Sequence, residues 1–395
     1  MRARDAKMSS SNSRRRGHDQ HSDDAAAKRP RRGQQKKHIY LVIEDWEMGY
    51  SIHKLDIDDL DSDARAAAVS NQQLGRLPEP CAIRIEAPVD RYPASVTAIG
   101  RKILFVTDRY SDEAPILIYD TETASLAIGP RPTPALLPLG HILFVPVDER
   151  WLYALNPRRE DRLQCSFEVI SRGPRDEEDE FRLSWRAERW SVESVPAPMP
   201  LGYRDVVRAY AVHPDGRTIF VSAKELWSRE GEGCTTHSFD TRSSVWTRHG
   251  EWQLPFHGQG YYVDEVDAWV GLRRDGFLCS CAIPSRRRTA ERPPDSKLGR
   301  KTLFRENPKR HVGQPTGATL TYMGDARFCL VECAARQGVR WRDASDGEVD
   351  GCVLHVTIFG VKYDKRGDLQ TTDHRGRSYL VSRYGPMFAA QTFWM

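Results

Sequence analysis

No run of about 18 apolar residues occurs in the 395-residue chain, which excludes a membrane-spanning helix, and mean hydropathy is only −0.61. The N-terminus lacks the apolar segment of a secretory leader, so an intracellular protein, nuclear or cytoplasmic or both, is expected. Long amphipathic helices are missing too; Ala64 to Val69 suits one short surface helix and nothing longer. Catalytic signatures are equally absent: there is no G-x-S-x-G elbow, phosphate-binding G-x-x-x-x-G-K-[ST], H-E-x-x-H or dinucleotide fingerprint. No enzyme activity, catalytic residue, cofactor or metal is therefore expected.

The eight cysteines make neither a disulfide framework nor a finger. Without a leader the compartment is reducing, Cys279 and Cys281 alternate with Leu278 and Ser280 as buried strand thiols would, and Cys329 and Cys333 have no second ligand pair at finger spacing. His53, His141 and His355 lie in or beside strand-like runs and read as core or cross-strand residues. The acidic stretch from Asp56 to Asp63 lacks the turn glycine and terminal glutamate of a calcium loop and reads as a solvated linker.

Large apolar residues are nearly absent from residues 1–37, which cannot fold by burial and read as a disordered basic tail. This tail holds twelve Lys or Arg against four Asp, so the other 47 basic and 51 acidic residues leave the body near −4 while the whole chain is +4. Within it Lys28, Arg29, Arg31, Arg32, Lys36 and Lys37 form the short basic cluster that import receptors or polyanions read, and nuclear targeting is one expectation. Nucleic acid is expected to bind only non-specifically through the tail, since the body has no basic stripe with interleaved aromatics.

What is present is β-structure that repeats. From Ile39 onward the chain alternates apolar and polar residues in short runs. The stretch from Gly100 to Pro134 reads as three strands, at Ile103–Val106, Ile116–Tyr119 and near Leu126, too few to stand without like neighbours. Gly100-Arg-Lys-Ile-Leu-Phe-Val recurs as Gly140-His-Ile-Leu-Phe-Val and Gly216-Arg-Thr-Ile-Phe-Val, and more loosely from Gly276, Gly324 and Gly376. Tyr119-Asp120-Thr121 precedes Leu126 by the same offset as Phe239-Asp240-Thr241 precedes Trp246. An apolar strand ending in proline follows each such phrase, as Leu126 to Pro132, Trp190 to Pro198 and Trp246 to Pro255.

A four-stranded unit repeating every 40 to 60 residues predicts an all-β fold, a single β-propeller, with a sandwich or two small barrels as the alternatives. The expected blades span residues 39–92, 93–133, 134–200, 201–256, 257–314 and 315–385, giving six, with a seventh if Gly376 opens a new one. The domain is then 38–385, followed by a C-terminal tail at 386–395. To seal the ring, the first strand near Ile39–Ile43 is expected beside strands from 352–385. Ser171 to Glu188 and Arg286 to Arg310 read as charged surface loops.

The phrases HIYLVIEDWEMGYSIHKLDIDDL, LPEPCAIRIEAP and ILIYDTETASLAIGPRP resemble a plant family of kelch-like proteins, expanded in grasses and known mainly as a domain of unknown function. The resemblance covers residues 38 to 385. It implies a kelch-type propeller, an architecture that in plants often carries the substrate-binding part of an F-box ubiquitin-ligase adaptor, and it implies no catalytic residues. The chain departs from ordinary kelch repeats in lacking a double glycine after the second strand. It also lacks an F-box, the 37 preceding residues being too few and too polar for a helical domain.

A non-enzymatic interaction module, scaffold or adaptor with a protein partner, is the function that follows. An enzyme or ligand-binding propeller using the central funnel is the alternative. Of the ten tryptophans, Trp190 and Trp246 fall where blades pack together, whereas Trp151, Trp227 and Trp341 fall in turns or loops and are the candidate partner anchors.

Overall fold

The computed structural model describes residues 36–395 except 47–48, 61–73, 87–93, 107–113, 134–135, 137–141, 157–164, 174–189, 203, 230–231, 287–291, 305–317, 336–351 and 382–389. Residues Lys37–Met395 form one compact unit. The helix expected at Ala64–Val69, His141, Trp341 and the basic cluster up to Arg32 lie outside the described residues. Lys36 and Lys37 are exposed.

Each blade is built on four antiparallel strands. Blade two runs through Ser95–Ile99, Lys102–Val106, Leu117–Asp120 and Ser125–Ile128, and blade three through Leu143–Val147, Trp151–Asn156, Ser166–Arg172 and Trp190–Ser194. Blade four comprises Asp205–Val212, Thr218–Glu225, Cys234–Asp240 and Val245–Gly250; blade five comprises Gly258–Val263, Ala268–Leu272, Phe277–Cys281 and Ser296–Thr302. Blade six uses Ala318–Gly324, Arg327–Ala335, Cys352–Tyr363 and Leu369–Val381. Blade one is composite: Gln391–Trp394 is its innermost strand, followed outward by Ile39–Trp46, Gly49–Leu55 and Ile83–Glu86. The inner strands of blades four and five also pair with each other in parallel, Tyr210 facing Gln259, so these two blades point the same way around the ring.

The core shows why this is a propeller and not a sandwich. Six apolar clusters occur among the described residues, and each is shared by two successive blades. Ile103, Phe105 and Tyr119 of blade two meet Tyr40, Val42 and Ile52 of blade one. At the other end of the chain Leu354, Val356 and Val381 of blade six meet Ile39, Leu41 and Ile43 of blade one. Strand alternation sends successive side chains to opposite faces, so one strand feeds the clusters on both sides of its blade. Trp190 packs between blades two and three and Trp246 between three and four, the latter 5.3 Å from the Phe167 ring and 5.0 Å from Phe239.

Closure differs from expectation in one respect. The first strand does pack its face on residues 354–381, but its hydrogen-bonded partner is Gln391–Trp394, with Val42 opposite Gln391 and Ile39 opposite Trp394. The segment read as a C-terminal tail is thus the inner strand of blade one. His38 and Met395 extend the ladder, His38 N–H donating to Met395 O at 2.6 Å and Met395 N–H to His38 O at 3.1 Å. Four residues are too short for a hydrophobic period to show, so the ring position, not the local pattern, makes this strand. A second clasp comes from Gly75–Arg76, which adds a parallel strand outside Leu369–Val381.

Turn chemistry explains which repeats were real. Gly100 (φ +56°), Asp148 (φ +57°), Gly216 (φ +70°) and Asp267 (φ +45°) supply the left-handed residue between first and second strands in blades two to five. Because Asp fills this place as well as Gly, blades three and five hide their copies. Gly276 instead stands before a third strand and Gly376 inside a fourth, so these are not equivalent positions, and the strand after Gly140 is an inner one. The aromatic-Asp-Thr phrase is a true repeat: Asp120 Oδ1 accepts from the N–H groups of Glu122 and Thr123, and Asp240 Oδ1 from those of Arg242 and Ser243.

The stretch 286–310 is not one loop, since Ser296–Thr302 is the outer strand of blade five. Arg286 reaches Asp215 of blade four at 2.8 Å. Burial would push the Asp215 carboxyl up, but the N–H groups of Arg217 and Thr218, the Thr218 hydroxyl and nearby His213 outweigh it and hold it at about 2. A carboxyl depressed from 3.8 contributes stability that is complete above pH about 4 and is lost as pH falls towards 2. Asp215→Asn is expected to cost about 2 kcal/mol at pH 7 and nothing below pH about 2, which urea titrations at both pH values check.

Candidate functional site

The innermost strands each have one edge turned from their own blade towards the axis, and together they enclose a channel of about 1000 Å³. All six contribute, from Val96 in blade two to Gln391 in blade one. Successive strands alternate in direction, which places the turns between first and second and between third and fourth strands on one face. The connections between second and third strands and between blades lie on the other. On this second face the second and third strands of blade six are joined by residues 336–351 and those of blade four by 226–233, while the opposite face has hairpins of two to five residues together with the connections 56–82, 173–189 and 282–295. We call the second face the loop face.

At the loop-face mouth of the channel three nitrogen-bearing side chains converge from blades four and five. Arg208 is the extra residue of a bulge in the inner strand of blade four, between Val207 opposite Ala223 and Ala209 opposite Ser222. His257 precedes the inner strand of blade five, and Arg274 sits on the turn between that blade's second and third strands. Arg274 Nη2 donates to His257 Nε2 at 3.0 Å, which requires a neutral imidazole with its proton on Nδ1. Burial, then the Arg274 and Arg208 guanidiniums, lower the His257 pKa to about 4, so the ring is neutral at pH 7. Deeper in, Tyr210 donates to Gln259 Oε1 at 3.1 Å. No Asp or Glu is among the described residues lining the channel.

The expected anchors do not come together. Trp227 lies on the loop face, in the connection after the second strand of blade four, and is 75% exposed. It stacks 5.7 Å from the Arg204 guanidinium. Its turn is held by Leu226 N–H donating to Arg204 O at 2.9 Å and by the Ser228 hydroxyl donating to Glu225 O at 2.8 Å. Trp151, 43% exposed, opens the second strand of blade three and therefore lies at the opposite face. His53 and His355 are tied within the blades, His53 to Pro78 O and His355 to its cross-strand partner Ser378.

Cys81, Cys165, Cys234, Cys279, Cys281, Cys329 and Cys333 are free thiols, and burial pushes Cys279, Cys281 and Cys329 up to about 12. Among the described residues no three His, Cys, Asp or Glu gather as metal ligands, and no helix is long and apolar enough to cross a membrane. Arg208, His257 and Arg274 were not singled out by sequence reasoning. The one signal for them is Arg208 as the lone charge within Val206–Val212.

The sequence profile described as "Protein of unknown function (DUF1668)" matches residues 36–379. The chain belongs to that family. DUF1668 as described names neither a kelch type nor a plant setting, so the resemblance stands as membership in a family of unknown function with a propeller architecture. No curated protein is similar enough to count as a match. Among solved structures the chain is similar to a Bacteroides uniformis protein provisionally described as a 6-phosphogluconolactonase, at TM-score 0.40 and 10% identity over 86% of this chain and 82% of that one. It is also similar to YjhT, at TM-score 0.39 and 10% identity over 77% and 98%. The Cps50 (Swd1) β-propeller domain of Myceliophteria thermophila aligns at TM-score 0.34 and 8% identity over 86% and 93%. With every TM-score below 0.5, the architecture rests on the strand pairing and the shared cores.

Proposed function

We propose that this DUF1668 protein is a non-enzymatic interaction module, a scaffold or adaptor, that takes a protein partner on its loop face. The observation that carries the reading is Trp227. A fixed turn holds a large aromatic ring three-quarters in solvent beside exposed Leu226 and over Arg204, and Trp and Arg are the residue types that dominate protein interfaces. A photo-crosslinking side chain at position 227 in cells is expected to capture a defined protein, and the same group at Arg101, on the turn face, is not. Trp227→Ala should weaken that complex by about 2 kcal/mol, roughly 30-fold. Equal capture from both positions, or unchanged affinity in the alanine variant, contradicts the reading.

The basic cluster Lys28, Arg29, Arg31, Arg32, Lys36 and Lys37 supports nuclear accumulation as part of this proposal. Six positive charges within ten residues, on a segment without an apolar anchor, suit an acidic receptor groove. With two fluorescent proteins fused to the chain, changing all six to Ala should abolish the nuclear fraction; an unchanged fraction defeats the targeting role.

A further inference from the structure

Arg208, His257 and Arg274 at the mouth of the channel are not used by the partner reading, and nothing about a propeller's stability calls for them there. Two guanidiniums at one mouth of a channel lined by no carboxylate among the described residues raise the local concentration of anions and face them with donors in a planar fork. His257 does not add to the charge. By accepting the Arg274 N–H at 3.0 Å it fixes that guanidinium at the rim and leaves its remaining N–H groups for a ligand. Gly258, next to it, has φ +72°, and a Cβ there would meet no atom within 4 Å, so the rim is open at this point. Below, Tyr210 donates to the Gln259 oxygen at 3.1 Å, and that amide's nitrogen is a further donor.

From this geometry we infer that the channel mouth between blades four and five is a binding site for a small organic oxyanion, a phosphate monoester or a carboxylate. Arg208 and Arg274 hold its charged group, Gln259 donates from below, and the channel receives the rest of the molecule. A volume of about 1000 Å³ admits a metabolite-sized ligand and is too small for a folded chain. The inference concerns binding alone. It is independent of the Trp227 surface, and either reading stands if the other fails.

Calorimetry on the full chain at constant ionic strength, set with chloride, tests this with inorganic phosphate, 3-phosphoglycerate and citrate as probes. Saturable binding of at least one probe is expected. Tighter binding of the two phosphates than of citrate assigns the site to phosphoryl groups, and the reverse order assigns it to carboxylates. Arg274→Ala should weaken binding at least tenfold and Arg274→Lys less than that. Arg101→Ala, an exposed arginine on the turn face paired with Glu122 at 3.1 Å, should change it less than twofold. Arg274 lies on an exposed turn, so both variants should keep the unliganded melting temperature; the lysine variant serves if the alanine one does not fold. No saturable binding of any probe, or equal weakening by Arg101→Ala and Arg274→Ala, overturns the inference.

Discussion

Deleting residues 391–395 should lower the unfolding free energy by about 5 kcal/mol or more and replace a single urea transition by a broad one. The deletion removes a ladder of four facing pairs, the two bonds joining His38 and Met395, and the acceptors of the Thr321 hydroxyl at 3.0 Å and, by fraying, of the Thr319 hydroxyl on Ala390 O. At about 1 kcal/mol for each net hydrogen bond, the backbone terms alone approach this figure. The loss also leaves Ile39–Trp46 as a bare inner edge facing the channel. Deleting residues 1–35 instead should change stability by no more than about 0.5 kcal/mol, since that segment has almost no apolar residue to bury. Urea unfolding followed by both fluorescence and circular dichroism distinguishes the two. Coincident, equally stable transitions for both truncations would show that the ring is sealed by face packing and not by the strand.

Trp269→Ala should cost about 4 kcal/mol, the largest effect expected of a single side chain here. Trp269 has no exposed surface, packs edge-on 5.2 Å from the Phe220 ring, and donates its indole N–H to Val212 O at 2.9 Å. Both contacts cross from blade five to blade four, so the alanine variant loses packing and leaves a carbonyl without its donor. Trp269→Phe separates the two: it keeps the ring contact and loses the bond, and should cost about 1 to 3 kcal/mol. A double-mutant cycle with Phe220→Ala should return a coupling of about 1 kcal/mol.

How far the fold was legible follows from these same residues. Blade boundaries at 93–133 and 201–256 were readable because blades two and four use glycine at the first turn and the Asp120 and Asp240 phrase at the last. Blade three uses Asp148 and blade five Asp267 at the same left-handed place, which a search for glycine passes over. The closing strand was missed because Gln391–Trp394 gains its order from partners more than 340 residues away in sequence. The candidate site was invisible for a related reason. Arg208, His257 and Arg274 stand up to 66 residues apart and share no spacing rule; a bulge, a blade connection and a turn bring them to one mouth.

The six shared clusters and the abutting ends make the molecule indifferent to where its chain is cut. His38 and Met395 are bonded neighbours, so a short linker from Met395 to Lys36 closes the polypeptide as it already closes the sheet. New termini opened in the connection 282–295, outside every strand, then yield a circular permutant with the same blades in the same order. Excising one blade is different in kind: it destroys two cores at once and leaves unlike faces of its neighbours to meet. The sequence order is thus free to rotate, while the number of blades is not free to change one at a time.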